Sequence, residues 1–122
     1  MMLQMLQVKI QELIVSESSI EYPGSISLPE ELFLASGIKQ FQMVHVNNKT
    51  NGNRIITYAV KNNEKGRVTL NGAASLLFKK GDRIHVLAFA FVNEAEADSF
   101  QPKLIITDSA NNISVSKPYV FN

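Results

Sequence analysis

Gln42-Met43-Val44-His45-Val46-Asn47 and Arg54-Ile55-Ile56-Thr57-Tyr58-Ala59-Val60 are two apolar, β-branched runs separated by a short segment that contains Asn51-Gly52. Asn-Gly accepts the positive φ values of a tight turn, so the pair predicts an antiparallel hairpin. Alternation along the second run puts Arg54, Ile56, Tyr58 and Val60 on one face and Ile55, Thr57 and Ala59 on the other. An arginine sharing a face with Ile56 and Val60 needs a partner if it is buried; on an edge strand it would simply reach water.

Towards the N-terminus, Leu6, Val8 and Ile10 alternate with Gln7, Lys9 and Gln11, which predicts a strand running to about Val15. Ser16 to Ser19 reads as a polar connection, followed by the turn Tyr22-Pro23-Gly24-Ser25. By itself that turn is punctuation, since proline fixes φ, glycine tolerates positive φ and serine bonds local backbone. Ser27 and Glu30 have the spacing of a capping box, predicting a helix from Leu28 to Ser36 that Gly37 closes.

Towards the C-terminus, Arg67 to Leu70 predicts a short strand, and Asn71-Gly72-Ala73-Ala74 opens a short helix to about Lys79, with Asn71 as its cap. Arg83 to Val92 includes the unbroken apolar run Val86 to Val92 and predicts a central strand buried on both faces. Asn93 to Ser99 suits a helical turn, and Lys103 to Thr107 and Ile113 to Val115 suit two further strands joined through Asn111-Asn112. Many short strands with two or three short helices predict a mainly β chain, a small closed barrel forming one domain over residues 1–122.

Composition excludes more than it selects. Twelve Lys and Arg against eleven Asp and Glu leave a net charge of +1 with no basic run, so nucleic acid and membrane surfaces have little electrostatic claim on the chain. The absence of cysteine removes disulfides, thiolate metal sites and a cysteine nucleophile. His45 and His85 lie inside strand patterns without partners at ligand spacing, so no metal is expected. The first residues lack the basic segment of a signal peptide, and no apolar run reaches the length of a membrane span, so a cytoplasmic location is expected.

The ordered set Met5-Leu6, Lys9-Ile10, Tyr22-Pro23-Gly24-Ser25, Asn51-Gly52-Asn53-Arg54, Thr57-Tyr58-Ala59 and Asn71-Gly72-Ala73-Ala74 resembles the aspartate 1-decarboxylase family, from about Met5 to Asp108. The resemblance implies a double-psi β-barrel and a homotetramer with active sites between subunits. It also implies a zymogen that cleaves itself between Gly24 and Ser25, into chains 1–24 and 25–122. Ser25 would become a pyruvoyl group that takes the α-amine of L-aspartate as a Schiff base and serves as electron sink in place of pyridoxal phosphate. The product would be β-alanine for pantothenate synthesis. Thr57 and Asn71 would support the cleavage. Lys9 and Arg54 would hold the substrate's carboxylates, Tyr58 would return the proton, and Tyr22, Thr57 and the backbone of Gly72, Ala73 and Ala74 would line the pocket.

The resemblance leaves room for an accessory maturation factor. Three departures stand out: Gln11 where many members carry histidine, Pro23 before the cleavage glycine, and a loop Glu64-Lys65-Gly66-Arg67 one residue short of the common pattern. Gln11 and Pro23 motivate the alternative of an unprocessed, non-catalytic barrel acting as a binding or regulatory subunit. Regular alternation also sets Thr57 on the opposite face from Arg54 and Tyr58, so either the strand is irregular or two faces serve one intersubunit site.

Overall fold

The computed structural model describes residues 1–23 and 25–121. The Asn51-Gly52 hairpin forms as expected. Strands β4 (Met43–Asn48) and β5 (Arg54–Asn62) pair antiparallel, with Met43 opposite Tyr58, His45 opposite Ile56 and Asn47 opposite Arg54. The remaining elements are β1 (Met2–Ile14), β2 (Glu17–Ser19), β3 (Ser25–Pro29), helix α1 (Glu30–Ser36), β6 (Thr69–Asn71), β7 (Arg83–Asn93), β8 (Lys103–Thr107) and β9 (Ile113–Pro118). Two 3-10 turns, Gly72–Leu77 and Glu94–Ser99, complete them.

The strands order as β2-β6-β3-β5-β4-β7-β1-β8-β9, giving the small, mainly β barrel that the sequence predicts. Three pairings are parallel, β3 with β5, β1 with β8 and β2 with β6, and these need crossovers rather than tight turns. The interior is filled by alternate residues of the strands, among them Val8, Ile10, Ile26, Val44, Val46 and Val86, each fully removed from solvent.

Two bulges adjust β1 against β7. The register moves by one residue between Leu6 and Val8, and again between Ile10 and Leu13, where Gln11 and Glu12 together face His85. Glu12 takes φ +72 there, which lets both Ile10 and Leu13 enter the core.

Several expectations are corrected. Ser27 and Leu28 belong to β3, not to a helix, and the capping box does not form. Helix α1 starts at Glu30 behind Pro29, with no side-chain cap. The reason is tertiary: Ile26 to Pro29 pair with Ala59 to Asn62, and the Ser27 hydroxyl accepts a hydrogen bond from Asn62 Nδ2 at 2.8 Å. Gly37 does close the helix, at φ +78 with its N–H donated to Phe33 O. The stretch read as a polar connection contains β2, because Glu17 to Ser19 find an edge beside β6. Asn71 caps no helix with its side chain.

Strand β7 is central, between β4 and β1, but it is buried on one face only. Ile84, Val86 and Ala88 point into the core, whereas Leu87 and Phe89 are half-buried and Phe91 is 69% exposed. The open face continues across the sheet through Met43 and Ile56, which are likewise exposed. Among the described residues nothing covers it.

Asn111 ties the ends of the barrel together. It is buried at φ +62, its Oδ1 accepts from Ile14 N at 2.8 Å, and its Nδ2 donates to Ile14 O and Gly66 O at 2.9 Å. The loop behind it leaves no room at Gly66, where a Cβ would lie 2.5 Å from Ala110 O. Asn111→Ala strands backbone groups away from water and should cost about 2–4 kcal/mol. The urea midpoint should fall at unchanged slope, and an unaltered midpoint would refute the assignment.

Candidate active site

Ser25 opens β3, which lies between β5 and β6. Its partner across the antiparallel pair is Asn71, the last residue of β6, so the two side chains fall on one face. Ser25 is only 3% exposed. Asn71 Nδ2 donates to Ser25 Oγ, and Ser25 Oγ donates to Pro23 O, both at a long 3.4 Å. Gly24 lies outside the described residues. A pyruvoyl group is built from a serine; here a serine stands at that position with its hydroxyl hydrogen-bonded and open space beside it, so the residue present fits the precursor of such a group.

That space is a cavity of about 410 Å³ lined by Ser25, Tyr22, Tyr58 and Asn71 together with Phe41, Arg67 and Glu17. Four of the residues named from sequence therefore meet in one place. Arg67 and Glu17 come in addition, as an ion pair in the cavity lining, with Glu64 also on Arg67 at 2.8 Å. Sequence spacing gave no sign of them, because only the parallel β2–β6 pairing brings residue 17 to residue 67.

Lys9 and Arg54 lie elsewhere. They stand on the open face of the sheet, which is regular here: Arg54 is opposite Asn47 and Asn47 opposite His85, while Lys9, Leu87, His45 and Ile56 form the neighbouring row. Arg54 is exposed although β5 is not an edge strand, because the face itself is uncovered. Its Nε donates to Asn47 Oδ1 at 2.7 Å. Lys9 Nζ sits 5.9 Å from the ring centre of Tyr119, a cation–π contact. Tyr58 shares the face with Arg54 and also borders the Ser25 cavity, and so stands between the two.

Thr57 points the other way. It lines a second hollow of about 360 Å³ with Ile55, Ala73, Ala74 and Leu77, while Gly72 is buried at the head of the 3-10 turn. The register from Arg54 to Tyr58 has no shift, so an irregular strand does not explain the separation. Among the described residues, neither of these two cavities gathers Ser25, Thr57, Lys9 and Arg54 together.

Beside this face Glu12 is held by Lys49 at 2.8 Å, Arg83 at 2.9 Å and His85 at 3.4 Å. The Lys49 and Arg83 hydrogen bonds lower its carboxyl to about 2. Burial keeps His85 below its ordinary value, against the opposing pull of Glu12. Among the described residues no group of three or more His, Cys, Asp and Glu side chains could hold a metal ion, and no helix is long and apolar enough to cross a membrane.

Fold and geometry thus define a class: a small β-barrel with a serine-centred cavity next to an uncovered, cation-bearing sheet face. A family profile described as aspartate decarboxylase matches residues 1–114. The chain is 44% identical over 115 residues to an aspartate 1-decarboxylase of Stenotrophomonas maltophilia, covering 93% of this chain and 91% of that one. It is 41% identical over 111 residues to the Campylobacter jejuni aspartate 1-decarboxylase, with 91% and 88% covered, and 37% identical to that of Alkalilimnicola ehrlichii. The chain belongs to the aspartate decarboxylase family.

The Glu12 cluster has a signed pH dependence. A carboxyl whose folded pKa is depressed adds stability above its unfolded pKa, and loses it as pH falls through the folded value. The stability gap between wild type and Glu12→Gln should therefore be full above about pH 4.5 and narrow as pH drops towards 2. Denaturant titrations across that window check this, and a gap independent of pH would refute the depressed pKa.

Proposed function

We propose that this enzyme decarboxylates L-aspartate to β-alanine and carbon dioxide, supplying pantothenate synthesis in the cytoplasm, after self-cleavage between Gly24 and Ser25. The observation that carries the reading is the position of Ser25, near-buried at a strand start, with Asn71 on its hydroxyl and Tyr58 across the same cavity.

A serine hydroxyl is a weak nucleophile, so attack on the preceding carbonyl requires a held geometry. Asn71 and the Pro23 carbonyl limit the swing of the hydroxyl, and Pro23 limits the flexibility of the chain before it. Attack of Oγ on the Gly24 carbonyl forms an ester as the Gly24–Ser25 amide bond breaks. β-Elimination then frees the carboxyl end of residue 24, and hydrolysis of the dehydroalanine releases ammonia.

The pyruvoyl group so made supplies the electron sink for decarboxylation. The remaining work falls to the chain's own side chains. Arg54 and Lys9 offer positive charge to the two carboxylates of aspartate, and the planar fork of Arg54 fixes the orientation of one of them. Tyr58, between the Ser25 cavity and the Arg54 face, has a hydroxyl able to return a proton after carbon dioxide leaves.

One chain alone separates these groups, which favours a homotetramer whose neighbours complete each site. The exposed Phe41, Met43, Ile56 and Phe91 around Arg54 and Tyr58 give such contacts apolar surface to bury. Thr57 and the Ala73-Ala74 backbone would then serve a site from the other side of β5.

Intact-mass measurement of the denatured protein tests the reading. Two fragments dividing at Gly24/Ser25 are expected, the larger starting in a pyruvoyl group. A persistent full-length mass, with or without a maturation partner, would favour the unprocessed binding subunit. Ser25→Ala should stay whole and make no β-alanine. Asn71→Ala should process about 10²-fold more slowly. Arg54→Ala should cleave normally yet show a raised KM for L-aspartate, and wild-type KM in that variant would refute its role.

A further inference from the structure

The chain has three arginines, and their partners differ in kind. Arg67 is paired with Glu17 and Glu64, and Arg83 with Glu12. Arg54 forms no ion pair among the described residues; its hydrogen-bonding partner is the neutral side-chain carbonyl of Asn47, at 2.7 Å from Nε. A carboxylate partner would cancel the charge and occupy the guanidinium fork. An amide carbonyl can hold the group while leaving its charge intact.

The support is built into the hairpin. Asn48 N donates to Asn53 O and Ala59 N to Gln42 O, so the alternate pairs, Asn47 with Arg54 included, are the non-hydrogen-bonded kind whose side chains lie closest. The next residue, Asn48, is 1% exposed and locked: its Nδ2 donates to Asp82 Oδ2 at 2.7 Å and Leu77 O at 3.1 Å, and its Oδ1 accepts from Thr50 N at 3.0 Å. The backbone carrying Asn47 is thereby held in register, which keeps its side chain within reach of Arg54.

We propose that Asn47 is a positioning residue for Arg54. It takes the Nε–H, which closes the side-on fork of Nε and one terminal nitrogen, and leaves Nη1 and Nη2 to receive a substrate carboxylate end-on through two parallel bonds. This assignment rests on the proposed role of Arg54 in binding L-aspartate, and the experiment separates the two.

Steady-state kinetics on the processed enzyme would compare wild type, Asn47→Ala, Asn47→Asp, Arg54→Lys and the double variant Asn47→Ala/Arg54→Lys. Asn47→Ala should raise KM for L-aspartate about three- to tenfold with little change in kcat, the net worth of one ordinary, solvent-exposed hydrogen bond. In the Arg54→Lys background the same change should do nothing further, because lysine has no Nε–H to hold. Asn47→Asp keeps the shape of the side chain but cancels the charge, and should raise KM at least as much as Asn47→Ala.

Processing at Gly24/Ser25 in each variant reports that the barrel has folded, and if Asn47→Ala fails to process, the near-isosteric Asn47→Leu, which keeps the bulk but has no acceptor for Nε–H, is measured in its place. An unchanged KM in either variant, or an equal effect of Asn47→Ala with and without Arg54, overturns the assignment of Asn47. Wild-type KM in Arg54→Lys, or no turnover of L-aspartate by wild type, overturns the functional reading itself and the assignment with it.

Discussion

The placement of β3 between a parallel neighbour, β5, and an antiparallel one, β6, is the constraint on which the rest of the candidate site depends. A strand paired on both sides cannot slide, because a one-residue slip would send Ile26 and Leu28 out of the core and Ser25 to the opposite face. Ser25 is therefore fixed at the point where the chain enters the barrel. Asn71 is delivered to it by the register of β6, and the cavity beyond lies along the side of β5 that carries Tyr58. For the self-cleavage proposed above, a hydroxyl at the start of a doubly paired strand offers the rigid anchor that an intramolecular attack requires.

The same pairing explains which parts of the sequence were legible. Asn51-Gly52, the alternation of β5 and the closing glycine of α1 are local signals, each complete within a few residues, and the structure has them as read. The Ser27-Glu30 capping box was also a local signal, and it failed because tertiary pairing with β5 claimed Ser27 and Leu28 first. Asn71 looked like a helix cap for the same reason: its type suits both roles, and only its pairing with residue 25, far away in sequence, decides between them. The ordered motifs identified the family without any of this geometry. They could not reveal Glu17 and Arg67 in the cavity lining, since that meeting depends on a parallel pairing between strands too short to leave a periodic trace.

The apolar run of β7 misled in a more informative way. Seven consecutive apolar residues ordinarily mean burial on both faces. In one chain they are buried on one, and the other face continues into Met43, Ile56 and the cations Arg54 and Lys9. The sequence of β7 carries the pattern of a strand covered on both sides, whereas the fold of one chain supplies only one cover. In the proposed homotetramer, a neighbouring subunit laid on this face would bury the excess apolar surface and close the site in one step.

The cations of the chain differ in how they are partnered, which bears on the proposed closure. Carboxylates already hold the guanidinium groups of Arg67 and Arg83, and Glu12 holds Lys49 as well. Arg54 is supported by an amide and Lys9 by the face of an aromatic ring, two contacts that orient a cation without neutralising it. A covered site raises the strength of every remaining charge interaction by excluding water, and it penalises a cation left without a counterion. In the proposed assembly two such cations would suit a ligand bearing two negative charges, and aspartate is a small amino acid that brings both.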